Sequence, residues 1–396
     1  MKRSLSSRRG LLALVLCGLS ACVVAKTRLH LADPEATRET RALYSRLWTL
    51  QQRGTMFGHH DDLAYGRHWR GTPGGSDTRD VCGDYPAVCS MDFGSMMDDR
   101  YDPQSEWAAT TRRLIQEARR RGEVVTCCAH LGNPLTGGDA WDNSSHEVVR
   151  EILAEGSPTH RKFCLWLDRL AQYARTLTDD HGRPIPILFR PFHEHTQTWN
   201  WWGRGCATRE QFVALWRMTV DYLRQAGIHH FIYVISPQSH GRDAAERFTF
   251  WWPGDEYVDV VGYDYYEGET PEILRENLRT LSAVAAAKQK PCAVTEAGLE
   301  AFCNPSYWTQ QILAPLTAEG VRVSFIVFWR NKYVGQNERD THYFSVFPGH
   351  PSEEDFRLFH RSPRTLFSRD LPDMYRRARG VTVKSEDPPA PFRGRK

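Results

Sequence analysis

The chain has 396 residues, with 51 Lys+Arg against 48 Asp+Glu, so its formal charge is only +3. This length allows two or three domains or one large α/β barrel, and 25% charged with 41% hydrophobic residues excludes a disordered chain. Such a small net charge gives no reason to propose nucleic-acid binding. Aromatic residues reach 12%, including 13 Trp, which suits a large core, a surface that stacks flat ligands, or both.

The N-terminus has the pattern of an export signal. Four basic residues within the first nine positions precede an apolar run from Gly10 to Ser20, which is too short to span a bilayer as a helix. The run ends in Leu19-Ser-Ala-Cys22, which resembles a bacterial lipoprotein cleavage site; an ordinary signal peptide is the alternative. We therefore expect residues 1–21 to be removed, Cys22 to be lipidated and residues 22–34 to form a tether. The protein would then be held at the bacterial cell envelope by this lipid alone.

Eight cysteines follow Cys22. In an exported protein an even number permits disulfides, and Cys82 and Cys89 flank a short loop that a disulfide could close. Cys127 and Cys128 lie in a strand-like run and are interpreted as core thiols. Because no paired CxxC spacing occurs, a structural zinc site is not predicted.

Apolar strand-like runs alternate with amphipathic helical stretches from residue 35 to residue 375, and no repeat or linker divides them. The predicted strands are Met56–His60, Ala87–Phe93, Glu123–His130, Pro186–Glu194, His230–Pro237, Val258–Tyr266, Pro291–Ala297 and Val321–Trp329. The predicted helices include Glu106–Arg121, Arg161–Thr178, Glu210–Ala226 and Pro271–Lys288. Eight apolar strands separated by helices favour parallel pairing covered on the outside, hence a single (β/α)₈ TIM barrel. An open doubly wound sheet is the alternative, but no GxGxxG follows the first strand. Residues 376–396 form a predicted C-terminal tail.

Two glutamates follow predicted strands that lie on roughly opposite sides of such a ring. Glu194 lies at the end of the fourth predicted strand and Glu296 near the end of the seventh. The active sites of these barrels are built at the C-terminal strand ends. Two carboxylates facing each other there are what glycosidic cleavage requires, one protonated to donate to the leaving oxygen and one ionised to attack. Two ion-pair partners at strand ends are the alternative interpretation.

The segment around Glu194 resembles the acid/base segment of glycoside hydrolase family 26, the β-mannanase family of the large clan of retaining barrels. It reads Phe189-Arg-Pro-Phe-His-Glu-His-Thr-Gln-Thr-Trp-Asn-Trp-Trp-Gly203. In the other families of the clan the residue before the acid/base is usually Asn, and His193 is the family 26 variant. Further motifs match in the family's order between residues 35 and 375: Gly58-His-His60, Gly83-Asp-Tyr-Pro-Ala87, Asp92-Phe-Gly94, His130-Leu-Gly-Asn-Pro-Leu-Thr-Gly-Gly138, Gly262-Tyr-Asp-Tyr-Tyr266, Thr295-Glu-Ala-Gly298 and Phe328-Trp-Arg-Asn331.

The resemblance implies a retaining β-mannanase that cuts β-1,4-mannosidic bonds in mannan or galactomannan, as a monomer and without a metal or cofactor. Glu194 resembles the general acid/base and Glu296 the nucleophile, whose carboxyls a retaining mechanism places about 5–5.5 Å apart. Exo-acting mannobiohydrolases, xylanases and mixed-linkage glucanases of the family share both glutamates, so these activities stay open. The segment Trp69–Asp80 is a candidate for the loop that separates endo from exo action.

The resemblance also implies substrate contacts, at His130, His193, Trp199, Tyr263, Tyr266, Trp329 and Arg330. Trp199 would stack on the sugar near the cleavage point, and the pair Trp329-Arg330 would form the floor and the polar clamp on the non-reducing side. On the sixth strand, Tyr266 fits the family's tyrosine better than Tyr263. The pair Trp201-Trp202 either extends the stacking platform or belongs to the core.

Two other classes of function remain to be weighed. His193-x-His195 resembles the HxH pair of metal-dependent amidohydrolase barrels, and His59-His60 could add ligands. In that class the pair lies on the first strand, whereas here it lies on the fourth, and the eighth strand ends in a cation, Arg330, where a metal ligand would be needed. A surface-anchored sugar-binding protein without turnover would need neither of the two glutamates.

Overall fold

Parallel strands close into a barrel in the computed structural model of this protein, which describes residues 27–238, 241–266, 270–335 and 339–385. The predicted signal peptide, Cys22 and residues 386–396 of the predicted tail lie outside the described residues. Within the described part, no helix is long and apolar enough to cross a bilayer.

Twelve strands are present in the described chain. They are β1 (Thr27–Leu31), β2 (Thr55–His60), β3 (Val88–Asp92), β4 (Val124–Cys128), β5 (Ile187–Arg190), β6 (Phe231–Ile235), β7 (Val260–Val261), β8 (Asp264–Tyr265), β9 (Val294–Ala297), β10 (Phe325–Phe328), β11 (Thr365–Leu366) and β12 (Val381–Ser385). Strands β2 to β10 pair in parallel in the order β7-β6-β5-β4-β3-β2-β10-β9-β8. Bridges from Val261 to Cys292 and from Gln238 to Asp264 close the ring. The predicted (β/α)₈ barrel is thus confirmed, with one strand at each of the eight predicted runs except the sixth.

The sixth strand is split at Gly262 into β7 and β8. A Cβ atom on Gly262 would lie only 2.6 Å from the carbonyl oxygen of Ile235 on β6. Glycine alone permits this close approach of two backbones, and the break lets β8 pair with β9. The interruption therefore sets the position of Asp264 and Tyr266 at the mouth of the barrel.

Ten α-helices surround the strands in the described residues. They are α1 (Arg38–Leu50), α2 (Asp77–Cys82), α3 (Glu106–Arg121), α4 (Val148–Leu153), α5 (Pro158–Arg175), α6 (Arg209–Gln225), α7 (Ala245–Phe248), α8 (Pro271–Ala287), α9 (Ala314–Leu316) and α10 (Glu353–Arg361). Of the four helices predicted above, α3 has the predicted ends and the other three agree within three residues. The ends of α3 follow from its caps, because Ser105 accepts a hydrogen bond from the Ala108 backbone and Gly122 has a φ of 86°.

One end of the barrel is closed by α1 and by a small sheet in which β1 pairs in parallel with β12. The Tyr44 hydroxyl of α1 donates to the carbonyl of Asp259, 2.9 Å away, just before β7. The Ser324 hydroxyl, just before β10, donates to the carbonyl of Leu47 at 3.2 Å. We call this end, where the barrel strands begin, the N-terminal face. Strands β1 and β12 lie within the predicted tether and tail, so the ordered chain extends beyond the predicted limits of 35 and 375.

The barrel interior changes from apolar to polar along the strands. Because side chains alternate across a strand, every second residue points inward. Near the N-terminal face the buried apolar residues include Met56, Val88, Val124, Leu188, Ile232 and Phe325. At the opposite end the buried residues are polar, including Ser90, Thr126, Arg190, Ser236, Asp264 and Thr295. The chemistry is therefore concentrated at the C-terminal strand ends.

The eight cysteines from Cys82 to Cys303 are all free thiols. The disulfide considered for Cys82 and Cys89 is therefore not formed. The Cys82 thiol contacts the carbonyl of Asp84 at 3.5 Å, whereas Cys89 lies on β3 and is buried in the core. Cys127 and Cys128 are buried on β4, as expected for core thiols.

Candidate active site

A cleft of about 400 Å³ opens at the C-terminal strand ends, and both predicted catalytic glutamates line it. Glu296 lies within β9, and Glu194 follows β5 by four residues. A carboxylate oxygen of Glu194 and one of Glu296 lie within 4.8 Å of each other. A retaining pair is about 5–5.5 Å apart and an inverting pair about 6.5–9.5 Å, so the spacing suits direct attack by one carboxylate while the other donates a proton.

Glu194 is positioned by a strained turn. Its φ is 55°, in the left-handed region that non-glycine residues rarely adopt, and its backbone N–H donates to the carbonyl of Ser236 at 2.8 Å. Trp199 Nε1 donates to Glu194 Oε2 at 3.0 Å. Burial, with the nearby carboxylates of Glu296 and Asp264, raises the pKa of Glu194 well above its usual value. Glu194 is therefore suited to hold a proton at neutral pH.

Glu296 is held by hydrogen bonds at both carboxylate oxygens. Oε1 accepts from the guanidinium of Arg190, and Oε2 accepts from the Tyr266 hydroxyl at 2.5 Å. The side chain is 3% exposed. Because both oxygens are fixed and a positive charge stands beside them, the carboxylate is oriented for attack on an atom in the cleft.

Arg190 links the nucleophile candidate to a second buried carboxylate. Its Nη1 donates to Asp264 Oδ2 at 2.8 Å, and the Thr295 hydroxyl donates to Asp264 Oδ1 at 2.6 Å. Burial, together with the charge of Glu296, raises the pKa of Asp264, and the charge of Arg190 opposes this rise. Oxygens of Glu194, Asp264 and Glu296 all lie within 4.8 Å of one another, but the guanidinium of Arg190 already contacts two of these carboxylates. A cation in this cluster is thus supplied by the chain itself.

The two predicted histidines form a chain with Asp92. His193 Nε2 lies 3.1 Å from His130 Nε2, and His130 Nδ1 lies 2.6 Å from Asp92 Oδ2. Burial, followed by the charge of His130, lowers the pKa of His193 well below its usual value. Burial alone would raise the pKa of Asp92, but His130 reverses this effect and lowers it. The chain fixes the orientation of both rings at the edge of the cleft.

Aromatic rings provide the flat surfaces of the cleft. Trp199 and Trp329, both predicted, line it together with Trp141 and Phe344, which the sequence did not single out. The Trp329 ring stacks on His60, with centroids 4.1 Å apart and planes at 22°. Such rings bind the C–H face of a sugar with a large contact area.

Arg330 lies beside this surface rather than on it. Its Nη1 donates to the Tyr65 hydroxyl at 3.3 Å, and Tyr65 in turn donates to Asp61 at 2.6 Å. Arg330 is half-buried, next in sequence to Trp329. A longer ligand that leaves the cleft along Trp329 would meet its guanidinium.

Three residues considered for the site belong to the core instead. Tyr263 is fully buried, and its hydroxyl accepts from Asn277 Nδ2 at 2.8 Å, so only Tyr266 fills the predicted tyrosine position. Trp201 and Trp202 are also fully buried. Their indoles donate to the carbonyls of Leu131 and His193 at 3.1 and 2.7 Å, which anchors the Glu194 loop.

The HxH pair does not converge on one point. His195 is fully buried, its Nε2 lies 2.8 Å from the carbonyl of Phe250, and its ring stacks on Phe212. Burial lowers its pKa to about 4. Since His193 faces the cleft and His195 faces the outer core, the two cannot share a metal ion as in the metal-dependent barrels.

Two buried amides complete the cleft, and sequence reasoning missed both. Asn200 is 1% exposed and Gln238 5% exposed, and both line the cleft. Among the described residues, no hydrogen-bond partner is found for either side-chain polar atom of Asn200 or for Oε1 of Gln238. Asn200 stands between two tryptophans in the acid/base segment, and that position was the only available signal. Unpaired buried amides are costly in the free protein, which points to a polar ligand.

Comparison with known proteins places this geometry among glycan-cleaving enzymes. The family model described as glycosyl hydrolase family 26 matches residues 32–301. A solved GH26 β-mannanase from Bacteroides ovatus is 37% identical, with a TM-score of 0.80 over 86% of this chain and 98% of its own. The catalytic domain of the GH26 endo-β-1,4-mannanase of Bacillus sp. JAMB-750 is 27% identical, with a TM-score of 0.81 over 91% and 99%.

The chain spans less than two thirds of the length of two of the curated relatives that it matches. The mannan endo-1,4-β-mannosidase of Bifidobacterium adolescentis is 29% identical over 86% of this chain, which spans only 36% of that relative. Mannan endo-1,4-β-mannosidase A and B of Caldalkalibacillus mannanilyticus is 24% identical, and the aligned part is 78% of this chain and 60% of the relative.

Proposed function

Because the chain belongs to glycosyl hydrolase family 26, we propose that it is a retaining β-mannanase that hydrolyses β-1,4-mannosidic bonds. The observation that carries this proposal is the pair of buried carboxyls, Glu194 and Glu296, with oxygens within 4.8 Å in an aromatic cleft. The similarity to β-mannanases supports mannan or galactomannan as the substrate.

In the first step, the protonated Glu194 donates its proton to the glycosidic oxygen as the bond from this oxygen to the anomeric carbon breaks. Glu296 Oε2 or Oε1 forms a bond to the same carbon from the opposite face, which gives a covalent glycosyl-enzyme. In the second step Glu194, now ionised, takes a proton from water as the water oxygen displaces Glu296. Two inversions leave the configuration of the anomeric carbon unchanged.

The surroundings of each carboxyl fit these roles. Burial keeps the proton on Glu194 until the leaving oxygen takes it. The hydrogen bonds from Arg190 and Tyr266 hold Glu296 in place and let it depart as a carboxylate in the second step. Trp199 donates to Glu194, so it couples the position of the acid to a ring that can stack on a sugar.

Sugar hydroxyls would satisfy the polar groups that are unpaired in the free protein. Asn200 can both donate and accept, and Gln238 can accept through Oε1. These contacts lie beside Glu194, so they would recognise the hydroxyls of the sugar at the cleavage point. A ligand without matching hydroxyls would leave both amides buried and unpaired, which favours rejection of such a ligand.

The experiment is incubation with mannan, galactomannan, xylan and mixed-linkage glucan, with product lengths followed over time and the anomeric configuration read by NMR. We expect mannan-type substrates to be cut with retention. Glu194→Ala and Glu296→Ala should each lower kcat by about 10²–10⁴-fold or more. Full activity in both variants, or initial products of inverted configuration, would refute the mechanism.

We propose that the segment Trp69–Asp80 determines whether the enzyme cuts within the polysaccharide chain or from its end. Trp69 Nε1 donates to Asp77 at 3.0 Å, and Asn331, two residues after Trp329, donates to the same carboxylate at 2.9 Å. The segment is thus held near the predicted floor of the cleft. Shortening it should change the length of the products, and unchanged products would remove it from this role.

We also propose that the chain is a lipoprotein of the bacterial cell envelope, cleaved before Cys22 and lipidated there. The support is the basic start, the short apolar run and the Leu-Ser-Ala-Cys sequence. We further propose that it acts as a monomer. The mass of the mature N-terminal peptide tests the lipid, and an unmodified Cys22 would contradict it.

A further inference from the structure

Charge is distributed unevenly between the N-terminal face and the rest of the molecule. Two segments near the chain ends build much of this face, residues 27–53 and 371–385, and they contain nine basic and four acidic residues, a net charge of +5. The remaining chain from residue 22 onward contains 38 basic and 44 acidic residues, a net charge of −6. The near-neutral total therefore conceals a strongly polarised molecule.

A groove of about 670 Å³ crosses the N-terminal face between α1, the turn before β5 and the chain leading to β12. Its charged lining consists of Arg38, Arg41, Arg183, Arg376 and Arg377 with the two acids Glu39 and Asp373. Arg183 is engaged by Asp179 at 2.8 Å. The lining thus has three more positive than negative side chains.

Most of the positive charge on this face is unpaired. Exposed arginines elsewhere often have a carboxylate partner, as Arg113 has Glu117 at 2.7 Å and Arg242 has Glu276 at 3.1 Å. On the N-terminal face, six exposed basic residues make no ion pair with any described residue: Arg28, Arg38, Arg376, Arg377, Arg379 and Lys384. Neighbouring cations without counter-charges repel one another, so an anionic partner would relieve this repulsion.

The position of the chain start favours a membrane as that partner. The backbone N–H of Thr27 donates to the carbonyl of Gly380 at 3.1 Å, beside Arg379. Four residues lie between Cys22 and Thr27, and the five steps from one Cα to the next span at most about 17 Å. A lipid on Cys22 would hold this face within about two Debye lengths of the bilayer at physiological salt, where each basic residue adds to the attraction of an anionic leaflet.

We propose that the N-terminal face docks on an anionic lipid surface, with the arginine groove against the phosphate headgroups. The distance argument rests on the proposed lipid anchor, whereas the charge distribution does not. One lipid chain alone gives weak binding, and a basic surface is a second signal that makes it stable. Since the cleft lies at the opposite end of the barrel, docking presents the active site to the polysaccharide.

The test uses an unlipidated chain starting at residue 23, which keeps every described residue. Sedimentation with phosphatidylcholine vesicles, with or without phosphatidylglycerol, reports binding. We expect binding only to the anionic vesicles, weaker with added salt, and at least about ten-fold weaker for the double variant Arg376→Gln/Arg377→Gln, from roughly five-fold per arginine. The control removes two exposed arginines where helices start at the other end, Arg161→Gln/Arg209→Gln, and should bind like the parent.

Three results would overturn the proposal: equal binding to neutral and anionic vesicles, equal loss of binding in both double variants, or no binding to anionic vesicles by a chain that does bind a soluble polyanion. Circular dichroism confirms that each variant folds. Vesicle-bound protein should hydrolyse soluble mannan oligosaccharides at the rate of free protein, and slower hydrolysis would contradict the outward cleft. Because unlipidated protein is used, a failure here leaves the hydrolase mechanism and the anchor at Cys22 untouched.

Discussion

Trp199 donates a hydrogen bond to Glu194, and this bond lowers the pKa that burial raises. Removing the donor in Trp199→Phe should therefore raise the pKa of Glu194 further. Because the first step needs protonated Glu194, the alkaline limb of the pH profile of kcat/KM should move to higher pH, by up to about one unit. The measurement is the pH dependence of mannan oligosaccharide hydrolysis.

Trp141→Phe is the matched control. Trp141 lines the same cleft, and its ring lies 5.4 Å from that of His130. Losing part of this ring should weaken substrate binding but leave the alkaline limb in place. An unmoved limb in Trp199→Phe, or a limb shifted equally in both variants, would show that Trp199 does not tune the acid.

Asn200 is a residue where stability and activity should separate. Both polar atoms of its buried amide lack partners among the described residues, so Asn200→Leu removes an unfavourable burial of about 1–3 kcal/mol. We expect the melting temperature to stay or rise while kcat/KM falls about 5- to 100-fold. Thermal unfolding and steady-state kinetics test this, and a parallel fall of both would assign Asn200 to the core.

The sequence predicts some site residues better than others. The motif around Glu194 and the strand ends place both glutamates, because a barrel brings all C-terminal strand ends together. The choice between Tyr263 and Tyr266 depends on the break at Gly262, and the burial of Trp201 and Trp202 depends on the fold of a loop. Asn200 and Gln238 become candidates only in the structure, which shows that their buried amide groups lack hydrogen-bond partners among the described residues.

The loop from Pro191 to Gly203 is an element with two positive φ angles, at Phe192 and Glu194. Buried contacts must stabilise such a backbone, and the indole of Trp202 does so through its bond to the carbonyl of His193. Trp202→Phe should lower the free energy of unfolding by about 1–3 kcal/mol. It should also lower kcat more than it raises KM, because Glu194 moves while the stacking surface remains.

Trp216→Phe provides a comparison for that effect. Trp216 is an equally buried indole, which donates to the carbonyl of Tyr257 at 2.9 Å, outside the loop. If Trp216→Phe loses a similar amount of stability but keeps its kcat, the loss of kcat in Trp202→Phe is due to the position of Trp202 in the Glu194 loop. If both variants lose kcat to the same extent, general destabilisation explains the result.

Elements with strong local signals agree with their predictions, and elements made by distant contacts do not. Helix α3 matches because both of its caps are local, a serine and a glycine. Strands β1 and β12 are separated by about the whole domain, so no window of sequence reveals their pairing. The sixth strand is predicted as continuous because the close approach of two backbones at Gly262 does not change the hydropathy pattern of the sequence.

At the scale of the whole molecule, Glu123 connects the barrel to the C-terminal segment. It accepts from Arg121 at 2.5 Å and from Ser368 at 3.1 Å, and its carbonyl accepts from the Tyr375 hydroxyl. Burial raises its pKa to about 7. Its contribution to stability is therefore complete below the unfolded pKa near 4.5 and is lost as the pH rises through 7, by up to about 3 kcal/mol.

Glu123→Gln should therefore flatten the fall in the free energy of unfolding between pH 5 and pH 8, measured by urea denaturation. Glu117→Gln makes the same chemical change at a more exposed position and should retain the slope of the parent. Identical slopes for all three proteins would show that Glu123 does not carry this pH dependence.

The parallel pairing of β1 with β12 puts Thr27 opposite Val381 and Leu31 opposite Ser385, so the first and last described residues lie only four residues apart along one small sheet, far from the cleft. A short peptide could therefore join the two ends, and new ends could be opened in an exposed turn such as that around Gly182. Circular permutants of this kind are tolerated when termini are adjacent. The order of the eight βα units along the gene is thus separable from the catalytic geometry that they build.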